Sequence, residues 1–243
     1  LIGMLADLGI PDLALTTNGL RLAELASVLK RTGLDRVNVS LDSLSPDTFR
    51  RLTGGGELPA VLAGIAAALT HGLRPLKLNT VVIQGVNDAE LPELVAFAIR
   101  EDCEVRFIEL MPIGPGAALF PDGFMSSAAV REALSAHFVL EPALPVYGSS
   151  ARTYRVTNAA GRRGTVGFIP SCSDPFCAEC ARLRVTADGR LIGCLARNGG
   201  ISVREMLRAG DRQAVRDAAR AVLGAKRVDR LFAQGMAMAS IGG

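Results

Sequence analysis

Cys172, Cys177, Cys180 and Cys194 fall together in the C-terminal third of the chain, and the fifth cysteine, Cys103, stands alone. Cys177 and Cys180 form a C-x2-C pair, a spacing that lets two thiolates converge on one metal. Cys194 follows a predicted Asp188-Gly189 hairpin that folds it back beside them. Three chemistries share this pattern. With Cys172 included, C-x4-C-x2-C and a distant Cys match a plant-type two-iron ferredoxin, while four thiolates equally suit tetrahedral zinc. Cys177, Cys180 and Cys194 alone would hold a four-iron cluster with one iron open to substrate. Disulfides are not expected, because the opening LIGMLADLGIPD lacks the basic start and cleavage site of a secretory signal. Cys103 reads as a buried core thiol.

Basic residues supply the second kind of chemistry. Arg182 and Arg184 stand two apart on a predicted strand, where both reach the same face, and guanidinium forks suit phosphate oxygens. Lys77 lies inside a strand pattern, an unusual place for an ammonium, whereas Thr16 is equally well explained as strand filler. Ser40 and Met111 sit at strand ends, where local backbone bonding and core packing are their ordinary uses. Asn18, Asp42, Asn79 and Asn87 read as caps and turn formers, and His71 and His137 have no partner that would make either a catalytic pair.

The elements that must position these residues begin as βα units. Strands are predicted at Leu13 to Thr16, Arg36 to Leu41, Leu76 to Ile83 and Glu104 to Leu110. The helical patterns run over Leu1 to Leu8, Arg21 to Thr32, Ser45 to Leu52, Glu57 to His71 and Leu91 to Glu101. Parallel strands joined by helices are covered on both faces, in an open sheet or a barrel, and polar residues recurring on successive strands favour a barrel. After Gly114 to Gly116 the pattern changes to a helix at Ser126 to His137 and a hairpin around Asn158 to Gly164. Another hairpin follows around Asp188-Gly189, then helices at Val203 to Arg208 and Arg212 to Leu223. The expectation is therefore an α/β chain with an incomplete TIM-like barrel over 1–119 and a C-terminal α+β extension over 120–243 carrying the cysteines.

Composition narrows the function classes. A chain of 243 residues with 49% apolar and 5% aromatic residues buries a core of its own, which excludes disorder and fibres. A net charge of +3 is far from the clustered charge of a protein that grips long nucleic acid. The best apolar run, Ala60 to Leu69, is shorter than the roughly 18 residues of a membrane span. The reading is a cytoplasmic protein with no nucleic-acid or membrane partner.

TTNG at Thr16 to Gly19, VNVSLDSL at Val37 to Leu44, KLNTVVIQGVND at Lys77 to Asp88 and RFIELMPIG at Arg106 to Gly114 can be placed together. With PFCAECARLRVTADGRLIGCL at Pro175 to Leu195 and the terminal IGG, they resemble the radical S-adenosylmethionine family of molybdenum-cofactor biosynthesis, the GTP 3′,8-cyclases. The resemblance implies a lyase converting GTP to (8S)-3′,8-cyclo-7,8-dihydroguanosine 5′-triphosphate. It places a [4Fe-4S] cluster on Cys177, Cys180 and Cys194, leaves Cys172 a bystander, and puts guanine at the open iron. Thr16, Lys77, Arg182, Leu183 and Arg184 would contact GTP, Ser40 and Met111 would hold S-adenosylmethionine, and Gly242 and Gly243 would reach into the active site. The partners implied are GTP, S-adenosylmethionine and a downstream pyranopterin-forming enzyme, and a homodimer is admitted.

Members of that family also carry C-x3-C-x2-C for a second [4Fe-4S] cluster, and the 243 residues contain no such motif. Together with the opening Leu1, this leads to the expectation of an N-terminally truncated chain, inactive by itself. The alternatives are another radical enzyme with an auxiliary cluster, or a non-enzymatic zinc or ferredoxin-like module.

Overall fold

Alternating burial along three strands marks the centre of the fold. In Arg36–Ser40, Lys77–Val82 and Glu104–Glu109 every second residue is buried, so one face of each strand joins the core and the other carries the polar side chains. The structure, a computed structural model, describes residues 1–226 except 147, 176, 178, 179, 181 and 196–198.

The described chain divides into two compact units. The first runs α1 (Ile2–Ala6), β1 (Ala14–Thr17), α2 (Leu22–Arg31), β2 (Arg36–Ser40), α3 (Pro46–Thr53), α4 (Leu58–Thr70), β3 (Lys77–Val82), α5 (Leu91–Arg100) and β4 (Glu104–Glu109). It continues through α6 (Ser127–Ser135), β5 (Val139–Pro142), β6 (Arg152–Thr157) and β7 (Arg163–Ile169). The sheet order is β1-β2-β3-β4-β7-β6-β5; the first five strands in that order are parallel to one another, and the pairs β7-β6 and β6-β5 are antiparallel. This is a mixed α/β unit built on parallel strands.

Val37, Val39, Leu78, Val105, Phe107, Val166 and Phe168 form the buried face of the sheet, packed with Val61, Ile65 and Ala68 of α4 and Leu91, Leu94 and Val95 of α5. Local signals start the helices. Ser45 accepts the Thr48 N–H ahead of Pro46 to open α3, and Gly54 in the left-handed region closes it. Gly19, at φ +80°, ends the TTNG turn, and a Cβ added to Gly64 of α4 would stand 2.6 Å from its carbonyl oxygen. Only two glycines allow α4 to lie this close to the turn after β1.

The division of contacts falls elsewhere than the expected boundary between 119 and 120. Residues 125–145 and 151–169 join the first unit because β7 pairs parallel to β4, Glu104 opposite Thr165 and Arg106 opposite Gly167. Phe168 then packs its ring 6.1 Å from Phe107 and 5.4 Å from Tyr154. The hairpin between β6 and β7 forms as expected, with Asn158 Oδ1 accepting the N–H groups of Ala160 and Arg162. β5 is absent from the sequence reading. It is an exposed edge strand ending in Pro142, and pairing with β6 rather than its own alternation makes it a strand.

The second unit comprises Leu110–Phe124, Val146–Ser150 and the chain from Pro170. It contains β8 (Arg184–Val185), β9 (Arg190–Ile192), β10 (Ile201–Ser202), α7 (Arg204–Arg208) and α8 (Arg212–Gly224), with the three strands in an antiparallel sheet β10-β9-β8. Leu191, Val203, Ala218 and Val222 form its small core. β8 is shorter than expected, so Arg184 is on the strand and Arg182 precedes it. Among the described residues no single helix is long and apolar enough to cross a membrane; α3 and α4 together pass by length and composition but bend by 95°.

Candidate functional site

On the face of the parallel sheet opposite the core, polar side chains line up in register. Thr16, Asn38, Lys77 and Glu104 occupy one row across four strands, and Ser40, Asn79 and Arg106 the next. Thr16, Ser40 and Lys77, expected to serve as ligand contacts, thus share one surface. Asn38 Nδ2 donates to Thr16 Oγ1 at 3.1 Å. Arg36 donates both Nε and Nη2 to Asp12, at 2.8 and 2.7 Å, and this guanidinium holds the Asp12 carboxyl below its ordinary pKa. Arg106 Nε meets Glu104 Oε1 at 2.5 Å, with the two side chains only 18% and 14% exposed. Burial pushes the Lys77 ammonium below its usual range, and the Arg106 charge pushes the same way against the pull of Glu104. Such a cation costs least when an anionic ligand completes its surroundings.

Past Ser40 the β2–β3 ladder gives way to side chains. Asp42 Oδ1 accepts the Val81 N–H at 2.8 Å, and burial pushes its carboxyl above the ordinary range despite that bond. Asn87, fully buried, donates to the carbonyls of Asp42 and Val81 and accepts the Ile83 N–H. These residues do the structural work expected of them. Glu109, on the same strand face as Val105 and Phe107, is 2% exposed and accepts the Ser127 N–H at the start of α6.

The second unit carries the thiols. Cys172, Cys177, Cys180 and Cys194 are half-buried and not joined in disulfides. Cys172 Sγ donates to the Leu110 carbonyl at 3.4 Å, and the Cys180 N–H reaches the Cys177 carbonyl at 3.3 Å. Burial pushes the Cys180 thiol up, but the Arg182 backbone N–H and the charges of Lys226 and Arg182 outweigh it, leaving the thiol below its ordinary pKa. Burial and the neighbouring Arg182 charge lower the pKa of Arg184, while Cys180 and Cys194 act on it in the opposite direction. Two arginines and two of the three expected ligands therefore share one electrostatic neighbourhood. Among the described residues no carboxylate pairs with Arg184.

The donor set suits an iron–sulfur cluster: partly accessible thiols, not tied up in disulfides, beside cations that offset the charge of thiolates. Among the described residues no three Cys, His, Asp or Glu side chains are already gathered into a ligating group. Leu183 packs against the small core. Met111 lies in this unit, half-buried, with its carbonyl 2.8 Å from the Ile113 N–H. Gly242 and Gly243 lie outside the described residues.

Three features escape a reading of the sequence. Arg106 stands in a recognisable segment, and its signal was the half-buried charge two residues from Glu104 on an alternating strand. Asn38 is one of many strand asparagines until its register with Thr16 is known. Lys226 has no local signal at all, being 46 residues from the cysteine it touches.

With this geometry in place, comparison with known proteins is informative. Residues 103–231 match the family described as Molybdenum Cofactor Synthesis C, and residues 1–98 match the Radical SAM superfamily. The chain belongs to the Molybdenum Cofactor Synthesis C family. The chain is also similar to proteins named GTP 3',8-cyclase. That of Alkaliphilus metalliredigens is 43% identical over 84% of this chain and 62% of its own length. That of Pelotomaculum thermopropionicum is 46% identical over 83% and 62%, and that of Pseudomonas entomophila 42% identical over 90% and 67%. The chain spans about three fifths of the length of the first two. Among solved structures, a radical SAM methyltransferase from Sphaerobacter thermophilus aligns over 50% of this chain and 36% of its own at 23% identity and a TM-score of 0.41, too loose to carry an argument.

Proposed function

We propose that this chain acts in a radical S-adenosylmethionine lyase, a GTP 3′,8-cyclase of molybdenum-cofactor synthesis, and supplies the nucleotide contacts and the ligands of an auxiliary cluster. The observation that carries the reading is the meeting of Arg182, Arg184, Cys180 and Cys194 in one neighbourhood, with Arg184 half-buried and, among the described residues, without a carboxylate partner. A thiolate set beside such cations suits a ligand with a base at one end and phosphates at the other. In this reading the parallel sheet is part of an incomplete barrel, with its polar face toward the ligands.

When bound at Cys177, Cys180 and Cys194, a [4Fe-4S] cluster would supply an iron able to take a purine nitrogen or oxygen. The chain's own residues orient and neutralise. Arg182 and Arg184 donate to triphosphate oxygens, and the backbone at Leu183 runs between them. Lys77 adds a cation and Thr16 a hydroxyl on the sheet face, and Arg106 extends that positive row. Ser40 and Met111 offer a hydroxyl and an apolar surface to S-adenosylmethionine, and Gly242 and Gly243 present backbone free of side chains. Fixing the nucleotide at both ends holds the ribose and purine in the orientation ring closure between C3′ and C8 needs. A pyranopterin-forming enzyme would consume the product in the cytoplasm.

The test is GTP binding to the anaerobically prepared protein. Arg182→Ala with Arg184→Ala should weaken binding by about a hundredfold or more, two charge-assisted contacts being lost; unchanged affinity overturns the reading. Metal analysis supplies the second arm. Iron should be retained in Cys172→Ser and lost in Cys194→Ser, whereas loss in both, or zinc in place of iron, points to four cysteine ligands.

A further inference from the structure

Lys226, just beyond α8, touches the segment of Cys180. Its Nζ donates to the Cys180 carbonyl at 2.9 Å and to the Arg182 carbonyl, and stands 3.6 Å from Cys180 Sγ. Gly193, the residue before Cys194, lies near its stem. A Cβ on Gly193 would lie 3.5 Å from Lys226 Cε and 3.0 Å from the Val222 carbonyl oxygen, so a side chain at residue 193 would crowd the end of α8. An ammonium has three donors, and here two are spent on the backbone carbonyls of Cys180 and Arg182 and the third faces a thiol.

We propose that Lys226 is a positioning residue for the cysteine site: it holds the backbone at Cys180 and Arg182 beside Gly193, the residue before Cys194, and places a fixed positive charge against the Cys180 sulfur. This rests on the reading of Cys177, Cys180 and Cys194 as cluster ligands. A hydrogen bond and a cation at a ligating sulfur stabilise the reduced, more negative form of a cluster, which raises its reduction potential. The backbone bonds fix where the Cys180 side chain projects. Lys226 touches no substrate in this account and acts through the loop and the thiolate.

The experiment uses the anaerobically reconstituted protein and follows the iron–sulfur signal that disappears in Cys194→Ser. In Lys226→Met, iron loss to a chelator should be about tenfold faster, the scale on which supporting contacts around a metal matter, and the midpoint potential read by electron paramagnetic resonance should move to more negative values. Lys226→Arg should restore the potential toward that of the unaltered protein. Lys226→Gln, which keeps donors for the carbonyls without the charge, should retain iron better than Lys226→Met while showing the same negative shift, and it serves where Lys226→Met fails to fold. If both neutral variants keep the original potential and iron-loss rate, the proposal is overturned while the cluster reading stands. If the unaltered protein shows no signal that depends on Cys194, the cluster reading fails and takes this proposal with it.

Discussion

Cys103 and Cys180 are the same residue in opposite surroundings. Cys103, in the sheet unit, is 9% exposed, and burial, reinforced by the charges of Glu101 and Asp102, pushes its thiol up to about 12. Cys180, in the smaller unit, is half-buried, and an N–H together with two cations brings its thiol down against burial. Thiolate chemistry is thus assigned by neighbours, not by residue type. The same contrast separates the two units: one spends its sequence on an extensive apolar core, the other keeps a small core and gathers arginine, lysine and cysteine.

Four measurements bear on that contrast, beginning with the largest effect. Phe168→Ala removes an aromatic ring from the centre of the large core and should cost about 3–5 kcal/mol in urea denaturation; Val222→Ala in the small core should cost about 1–2 kcal/mol. Equal losses would break the distinction between the two cores. In metal-free protein at pH 8, iodoacetamide should label Cys180 at least about a hundredfold faster than Cys103, whose thiolate fraction at a pKa of about 12 is only on the order of one in ten thousand. Comparable rates by peptide mass analysis would mean that neighbours do not set reactivity here.

On the sheet face, Lys77→Ala should weaken GTP binding by about tenfold to a hundredfold. Because its pKa is lowered, the affinity of the unaltered protein should begin to fall with rising pH before the ordinary lysine value of 10.5, and this decline should be absent in the variant. The smallest effect belongs to Asp42→Asn, which keeps an acceptor for the Val81 N–H. A carboxyl raised in the folded state costs stability once both states are ionised, and that cost vanishes below the unfolded value of about 3.8. The variant should therefore unfold at higher urea than the unaltered protein near neutral pH, with the difference closing as pH falls through the carboxylate range.

Much of the sheet unit is legible without coordinates. β2, β3 and β4 announce themselves because one face of each is buried against helices, which writes alternation into the sequence, and α3 carries its Ser45 cap and Gly54 stop. β5 and β10 do not: one is an exposed edge and the other two residues long, and only a partner strand makes either regular. In the candidate site, C-x2-C and the basic strand face are equally visible. The neutralising contacts are not, since Arg106 with Glu104 and Lys226 with Cys180 depend on side chains brought together by folding.

Residue spacing alone determined that this chain has βα units, a cysteine group suited to metal and basic residues suited to an anion, because periodicity and short-range turns are local properties. Tertiary structure alone decided that β7 extends the parallel sheet beside β4, that Glu109 meets the start of α6, and that a lysine after the last described helix stands against Cys180. Hydrogen-bond partners and electrostatic neighbours are fixed by distance in space, and distance along the chain does not encode them.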